Sequence, residues 1–439
     1  LSGRSDAIVA DMGGTTTDIA VVRGGQPELS SEGAMVGQWR PMVEAVKVYA
    51  IGLGGDSEVR FGGGEGLVIG PRRVVPLSLL AHEHPWVLQV LERQQREAPH
   101  ASQIRFAQRL QSDAAMLARL SEDELAALQR LAQGPVDVER ANIEERSLSK
   151  AIARLERKGL AIYSGFTPSD AAHVLGLSSH WSTEAATVGA RIWARQMRHL
   201  YGLGTWAQGD AVAPSRDVVD KVMGAISQKL IEAGLNDAGQ MNEANAGKVA
   251  NLLTAMALHA GAGLGAGEAG HGGAPSVFSL RFAPELPLVA VGAPAHSYYP
   301  AVARGLGMAL ELPQHAEVAN AVGAVLGQVS QRVHVTVSQP VRGVFRVFAG
   351  TGPRDFDALA PAIALAQQLA SAEAQLRAID AGAASATVVL SRWDNQVHND
   401  IDGHMFFEAR VTATASGPAL TRTDIRQRAM VDGGLAQVA

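Results

Sequence analysis

The sequence predicts an α/β protein that ends in a separate α+β domain, and three stretches carry that expectation. The first is a β-hairpin near the start. There the apolar run Ala7-Ile8-Val9-Ala10 is followed by a tight Gly13-Gly14 turn and a second apolar run, Ile19-Ala20-Val21-Val22. The second is an alternation of strand and helix over residues 287–326. It holds the buried run Leu288-Val289-Ala290-Val291, the turn Gly292-Ala293-Pro294-Ala295, a helix over 299–306, a strand over 309–312 and a helix over 316–326. The third is a ββαββ order in residues 331–439. Its strands fall at 333–337, 344–348, 385–392 and 405–413, around a long helix over 355–380.

The hairpin tip, Asp11-Met12-Gly13-Gly14-Thr15-Thr16-Thr17-Asp18, carries most of the chemistry. Glycines let successive backbone N–H groups point at one spot without a Cβ in the way, and threonine hydroxyls add donors. Such a tip suits phosphates, although a plain Gly-Gly hairpin has the same core pattern. Asp11 and Asp18 cannot bond a phosphate directly. Their chemistry is to hold Mg²⁺ or orient a water.

Further along, residues 44–51 read as a strand running into the glycine turn Gly52-Leu53-Gly54-Gly55-Asp56-Ser57, and Gly62-Gly63-Gly64 marks another hairpin. A helical segment opens at Pro76 and runs through Leu91, interrupted at Pro85. It carries His82 and His84, which are two apart, share no helical face and read as solvated surface. Residues 121–166 resemble a winged helix: a capping box Ser121…Glu124, a helix, a break at Gly134-Pro135, a helix over 147–158 and the strand Leu160-Ala161-Ile162-Tyr163. Arg154, Arg157 and Lys158 could reach phosphates, but in an acidic chain the module reads as a protein contact rather than a DNA reader. Thr167-Pro168-Ser169-Asp170 starts a helix that stops at Gly176. Alanine-rich helices over 183–201, 216–233 and 243–259 form a layer on a sheet, followed by a glycine-dense loop over 261–273 with His259 and His271 at its edges.

Composition narrows the function classes. The 439 residues carry a formal net charge of -5, which argues against broad nucleic-acid or anionic-membrane binding. There is no cysteine, so disulfides, thiolate metal sites and a cysteine nucleophile are excluded and a cytoplasmic setting is the expectation. No apolar run reaches membrane-spanning length. The chain begins at Leu1 with a strand almost at once, which reads as the loss of an upstream segment. His398, Asp400, Asp402 and His404 form the densest ligand-like cluster; it reads as a polar hairpin turn rather than a divalent-metal site. His271 and His296, each beside a glycine turn, are candidate acid–base groups, against the plainer reading of hydrogen-bonded bystanders.

Taken together, these motifs resemble a known superfamily. The hairpin from Asp11 to Asp18 is similar to the second phosphate loop of the actin, sugar-kinase and heat-shock ATPases, whose lobes have a ribonuclease H-like fold. The run from Leu288 to Ala295 resembles their adenosine loop, with Ala293 and Pro294 where glycines are usual. Gly54-Gly55-Asp56-Ser57 sits at the position of a glycine turn in the second lobe. Within that superfamily the residues resemble the hydantoinase A/5-oxoprolinase family over most of residues 5–345. The further matches are Phe166-Thr167-Pro168-Ser169-Asp170-Ala171 with Val174-Leu175-Gly176, and residues 313–327 with Ala319-Asn320-Ala321-Val322-Gly323-Ala324.

The resemblance implies an ATP- and Mg²⁺-dependent hydrolase that activates a cyclic amide, of hydantoin or 5-oxoproline type, by phosphorylation. It implies a partner too, either a hydantoinase B-like subunit or an N-terminal lobe carrying the first phosphate loop. A non-catalytic nucleotide-binding regulator of the same superfamily is the alternative. The implied nucleotide contacts are Gly13, Gly14, Thr15, Thr16, Gly54, Gly55, Asp56, Gly292 and Ala293, with Asp11 and Asp18 catalytic and Asp11 on the metal. The implied division is residues 1–100, the first part of an actin-like ATPase lobe; 101–166, the winged-helix-like insertion; 167–330, the helical layer and the rest of the lobe; and 331–439, the α+β domain.

Overall fold

The computed structural model describes residues 2–30, 45–110, 114–237, 241, 243–260, 281–349, 352–399 and 403–420. The chain divides into two compact units, Leu1–Ala319 and Asn320–Ala439. Among the described residues no helix is long and apolar enough to cross a membrane.

The first unit is mixed α/β. Its central sheet begins with β1 (Ala7–Met12), β2 (Thr17–Arg23) and β3 (Gln26–Pro27). Then come the short β4 (Leu29–Ser30) and β5 (Ala45–Val46), which pair with each other, and β6 (Tyr49–Ile51), which joins β2. The single strand expected over 44–51 is therefore split between two partners; position 44 lies outside the described residues. β7 (Ser57–Phe61) and β8 (Leu67–Arg73) form the glycine-turned hairpin, and β9 (Val75–Pro76) leads into α1 (Leu77–Glu83) and α2 (Trp86–Arg96). The break between these helices falls where Pro85 removes a backbone donor.

β10 (Phe106–Arg109), which sequence reading passed over, opens a subregion with its own core. It continues through α3 (Ala114–Leu117), α4 (Glu122–Ala132), β11 (Val136–Asp137), α5 (Val138–Glu144), α6 (Arg146–Arg157) and β12 (Ala161–Gly165). β10 sits between β11 and β12, and β12 also pairs with β9 of the main body. Leu128, Leu131, Ile152, Leu155 and Leu160 fill the core. The capping box at Ser121 forms as its spacing predicts, with the Ser121 N–H donating to Glu124 Oε2 at 2.9 Å.

The helical layer follows: α7 (Pro168–Val174), α8 (Thr183–Tyr201), α9 (Val212–Asp237) and α10 (Glu243–Ala260). α9 starts earlier than its apolar pattern suggests because Pro214 falls in the first turn, where no N–H is needed. β13 (Leu288–Val291), α11 (Ala295–Leu306) and β14 (Leu310–Glu311) close the unit. The sheet order is β14-β13-β1-β2-β3, with β13 parallel to β1 and β2 antiparallel to it. Ile8, Ala10, Met12 and Ile19 are buried against Trp193, Val222, Ile226, Tyr298 and Tyr299 of the helices in one continuous core.

The unit boundary falls at the start of α12 (Ala319–Leu326). The second unit holds β15 (Gln328–Val341), β16 (Val344–Ala349), β17 (Gly352–Phe356), α13 (Leu359–Asp380), β18 (Thr387–Asn399) and β19 (Gly403–Pro418). They form an antiparallel sheet of order β17-β16-β15-β19-β18. The expected ββαββ core gains a strand, because residues 352–356 pair with β16 and delay the helix to Leu359. α13 lays Ala362, Ala366, Ala370, Ala374 and Ala378 against the sheet; the four-residue spacing puts them on one helix face, and their small size allows close approach.

Candidate functional site

Three glycine turns meet at one end of the central sheet. The β1–β2 register sets Asp11 opposite Asp18 and Met12 opposite Thr17, leaving Gly13 to Thr16 as the hairpin tip. Gly13 N–H closes the tip onto Thr16 O at 2.9 Å. The second turn then clasps it: Gly55 N–H donates to Gly13 O at 3.0 Å and Asp56 N–H to Gly14 O at 2.7 Å. From the hairpin side, the buried Thr17 Oγ1 donates to Leu53 O at 2.8 Å. The third turn arrives through β13, whose register places Val291 beside Asp11 and so Gly292 beside Met12.

The glycines are needed for these close approaches, to backbone at Gly54 and Gly292 and to side chains at Gly55 and Gly14. A Cβ on Gly54 would stand 2.5 Å from both Gly13 O and Thr15 N, and one on Gly55 would stand 2.7 Å from Ser169 Oγ. Gly292 has φ +95°, and a Cβ there would lie 2.7 Å from the Met12 carbonyl carbon. On Gly14 a Cβ would crowd the Asp56 carboxylate, with its Cγ at 3.0 Å. Gly13 differs, since the nearest atom to an added Cβ is Thr16 O at 3.8 Å.

This packing sorts the donors. Gly54 N–H is taken by Ser57 Oγ at 2.9 Å, Gly292 N–H by Ala316 O at 2.7 Å, and those of Gly55 and Asp56 by the tip itself. Among the described residues, no acceptor meets the N–H groups of Gly14, Thr15 or Thr16. Successive open amides at a turn form an anion-binding concavity. Gly54, Gly55 and Gly292 thus shape the tip from behind, while Ala293 is exposed.

Carboxylates stand beside these donors. Asp11 Oδ1 is buried with no hydrogen-bond partner among the described residues, next to the face of Gly292. Across the strand, Asp18 accepts from Thr16 Oγ1 at 3.2 Å, and burial together with the Asp11 charge raises its pKa. Asp56 is ion-paired to Arg73 at 3.0 Å; burial raises its pKa against the pull of that guanidinium. Among the described residues no group of three His, Asp or Glu side chains is placed to hold a metal ion. A cation at Asp11 would therefore draw most of its oxygens from water and from a bound anion, as Mg²⁺ commonly does.

Two residues that sequence reading passed over complete the surroundings. Tyr298 and Tyr299, in the first turns of α11, are fully buried and their hydroxyls have no partner among the described residues. Burial, then the nearby acidic charges, push both above the usual phenol range: Asp170 and Asp56 for Tyr298, Asp11 and Asp18 for Tyr299. The adjacent pair just after the Gly292 turn was the available signal. The buried Asp170 ties α7 to the start of α1, accepting from Leu77 N at 3.1 Å, Ser78 N at 2.8 Å and Thr167 N at 3.1 Å. Ser169 N–H donates to Gly55 O at 3.0 Å, tying α7 to the second turn.

The histidine candidates stand apart from this cluster. His296 is exposed, and His271 lies outside the described residues. His398 and His404 are opposite each other in the β18–β19 register, whereas Asp400 and Asp402 lie outside the described residues.

The opposed carboxylates set up one measurable effect. Asp18 with a raised native pKa favours the protonated form in the folded state. That contribution stabilises below the ordinary aspartate value of 3.8 and is lost as pH rises through the raised native value. Asp18→Asn is therefore expected to raise the ligand-free thermal midpoint at pH 7 by an amount equivalent to up to about 1 kcal/mol, the scale for like charges directly opposite on paired strands. The gain should shrink at pH 3. A lowered midpoint at pH 7 would show that the two carboxylates do not oppose each other.

This end of the sheet thus sets a turn of three open amides beside a buried carboxylate oxygen that has no partner among the described residues. Residues 1–78, which carry the hairpin and the second glycine turn, match the family model described as hydantoinase/oxoprolinase, and the family resemblance is borne out over that segment. A solved nucleotide-free structure of acetone carboxylase, from work on the mechanism of ATP-dependent acetone carboxylation, is similar at 11% identity with a TM-score of 0.45. The match covers 96% of this chain and 48% of that one, so this chain spans about half its length. No curated protein matches the sequence.

Proposed function

We propose that this chain is part of an ATP-dependent enzyme of hydantoinase/oxoprolinase type and that its first unit is an actin-like ATPase lobe. In this reading residues 101–166 are a winged-helix-like insertion that contacts protein. The observation that carries the proposal is the set of amides of Gly14, Thr15 and Thr16 beside Asp11 Oδ1, all without a partner among the described residues. Those donors fit a nucleotide's terminal phosphates, and Asp11 fits a Mg²⁺ whose remaining ligands are water and phosphate. Asp18 would steady the hairpin, and Gly54, Gly55 and Gly292 would hold its shape.

When bound, Mg·ATP supplies a phosphoryl group that converts an amide oxygen into a good leaving group before hydrolytic ring opening. The residues here would orient the phosphates, hold a water or metal at Asp11, and exclude solvent on one side. The opposite side would be covered by a partner lobe or a hydantoinase B-like subunit. The regulator reading is separated by ATP hydrolysis with the partner present. Stimulation by hydantoin or 5-oxoproline is the expected result. Stimulation by acetone under carboxylating conditions would move the substrate class, and nucleotide binding with no stimulation by any of these would favour the regulator.

A further inference from the structure

The second unit ends its sheet on an unusual strand. β18 has 13 residues, lies at the edge of the order β17-β16-β15-β19-β18, and among the described residues pairs only with β19. Edge strands are commonly protected by lysine, proline or a bulge, because their open N–H and C=O groups recruit other strands. β18 reads Thr-Val-Val-Leu-Ser-Arg-Trp-Asp-Asn-Gln-Val-His-Asn, with neither lysine nor proline. The irregularity in the pair falls on β19, where Phe407 is the extra residue between partners of Asn395 and Gln396, so alternation along β18 is unbroken.

That alternation puts Val389, Ser391, Trp393, Asn395 and Val397 on the face away from α13. Opposite them in sense are Arg392 and Asp394, whose β19 partners Val411 and Ala409 are buried toward the helix. The apolar members are open to solvent: Val389 is 64% exposed, Trp393 56% and Val397 50%. Arg392 holds Asp394 through two contacts of 2.6 Å along the same strand.

We propose that β18 pairs antiparallel with β18 of a second copy of this chain, centred on Trp393, to make one continuous sheet across a two-fold axis. The strand is self-complementary in that register. Val389 meets the partner's Val397, Ser391 the partner's Asn395, and Trp393 the partner's Trp393, all on one face. On the other face Arg392 meets the partner's Asp394 and Asp394 the partner's Arg392, converting two intrastrand pairs into a closed quartet of alternating charge. Cross-strand aromatic, β-branched and opposite-charge pairs are the contacts that stabilise such ladders. A two-fold interface requires this reciprocity of one patch with itself. A strand recruiting an unrelated peptide has no need of charges placed symmetrically about its centre.

The test is the mass of the full chain in solution, by light scattering or sedimentation equilibrium. The expected result is twice the 45.9 kDa of the monomer. R392D and D394R alone place like charges opposite each other and should each be monomeric, with unchanged far-UV circular dichroism. Mixing the two should restore a dimer, because every charge then faces its opposite. The double variant R392D/D394R should dimerise like the parent. A monomeric parent, dimers that survive either single change, or a mixture that stays monomeric would overturn the proposal. So would a parent that dimerises only when cut after Leu420, which would assign the edge to the chain's own C-terminal segment.

Discussion

Gly292→Ala is expected to destabilise the first unit by about 4 kcal/mol or more, the range reserved for strain and clash that side-chain rotation cannot relieve. Two costs combine. A φ of +95° lies in the region that L-residues rarely adopt, which costs about 1–3 kcal/mol by itself. The new Cβ would also press into the Met12 main chain, 2.7 Å from its carbonyl carbon, at the point where β13 and β1 run side by side. Backbone on both sides of the contact is fixed by sheet pairing, so the strands must part for the methyl to fit. Denaturant titration of Gly292→Ala beside Gly13→Ala makes the comparison, since among the described residues the added Cβ of the latter has its nearest contact, Thr16 O, at 3.8 Å. Near-equal stabilities would show that the three turns are not locked together as described.

Asp11→Asn is expected to separate stability from activity. In the proposed holoenzyme, with the proposed partner lobe or subunit present, loss of the carboxylate charge at the proposed phosphate site should lower ATP turnover about a hundredfold or more. Removing one preorganised electrostatic element there costs on the order of 3 kcal/mol of barrier. In the ligand-free chain the same change relieves the Asp11–Asp18 opposition and should leave the thermal midpoint unchanged or higher. A structural role for Asp11 would move both readouts down together. A variant that is as active as the parent would remove Asp11 from the proposed metal position.

The hairpin was legible because it is local: two apolar runs, a glycine turn and two acidic residues lie between Ala7 and Val22. The helices with clear caps were legible for the same reason, as at Ser121 and Thr167, where side chain and amide meet three residues apart. What glycine-rich sequence cannot convey is the direction of its N–H groups. Gly54 and Gly55 read as phosphate contacts, yet their amides are spent on Ser57 Oγ and Gly13 O, and their bare Cα atoms admit the hairpin backbone at Gly54 and the Ser169 and Pro294 side chains at Gly55. Tyr298, Tyr299 and the place of Asp170 beside the site were missed because each is distant in sequence from the hairpin. They reach its neighbourhood through the β1–β13 pairing and through α7, which no local pattern encodes. Short strands such as Phe106–Arg109 and Gly352–Phe356 were missed for a related reason, since their partners, not their own alternation, define them.

The most direct measurement is a structure of the chain, with its proposed partner, bound to Mg²⁺ and a non-hydrolysable ATP analogue. The expected result places phosphate oxygens within hydrogen-bond distance, about 3 Å, of the Gly14, Thr15 and Thr16 N–H groups, with the metal on the Asp11 side and the Gly54–Gly55 amides still bonded within the chain. A nucleotide bound elsewhere, or phosphates that leave those three amides unmet, would contradict the assignment of the hairpin as the phosphate site.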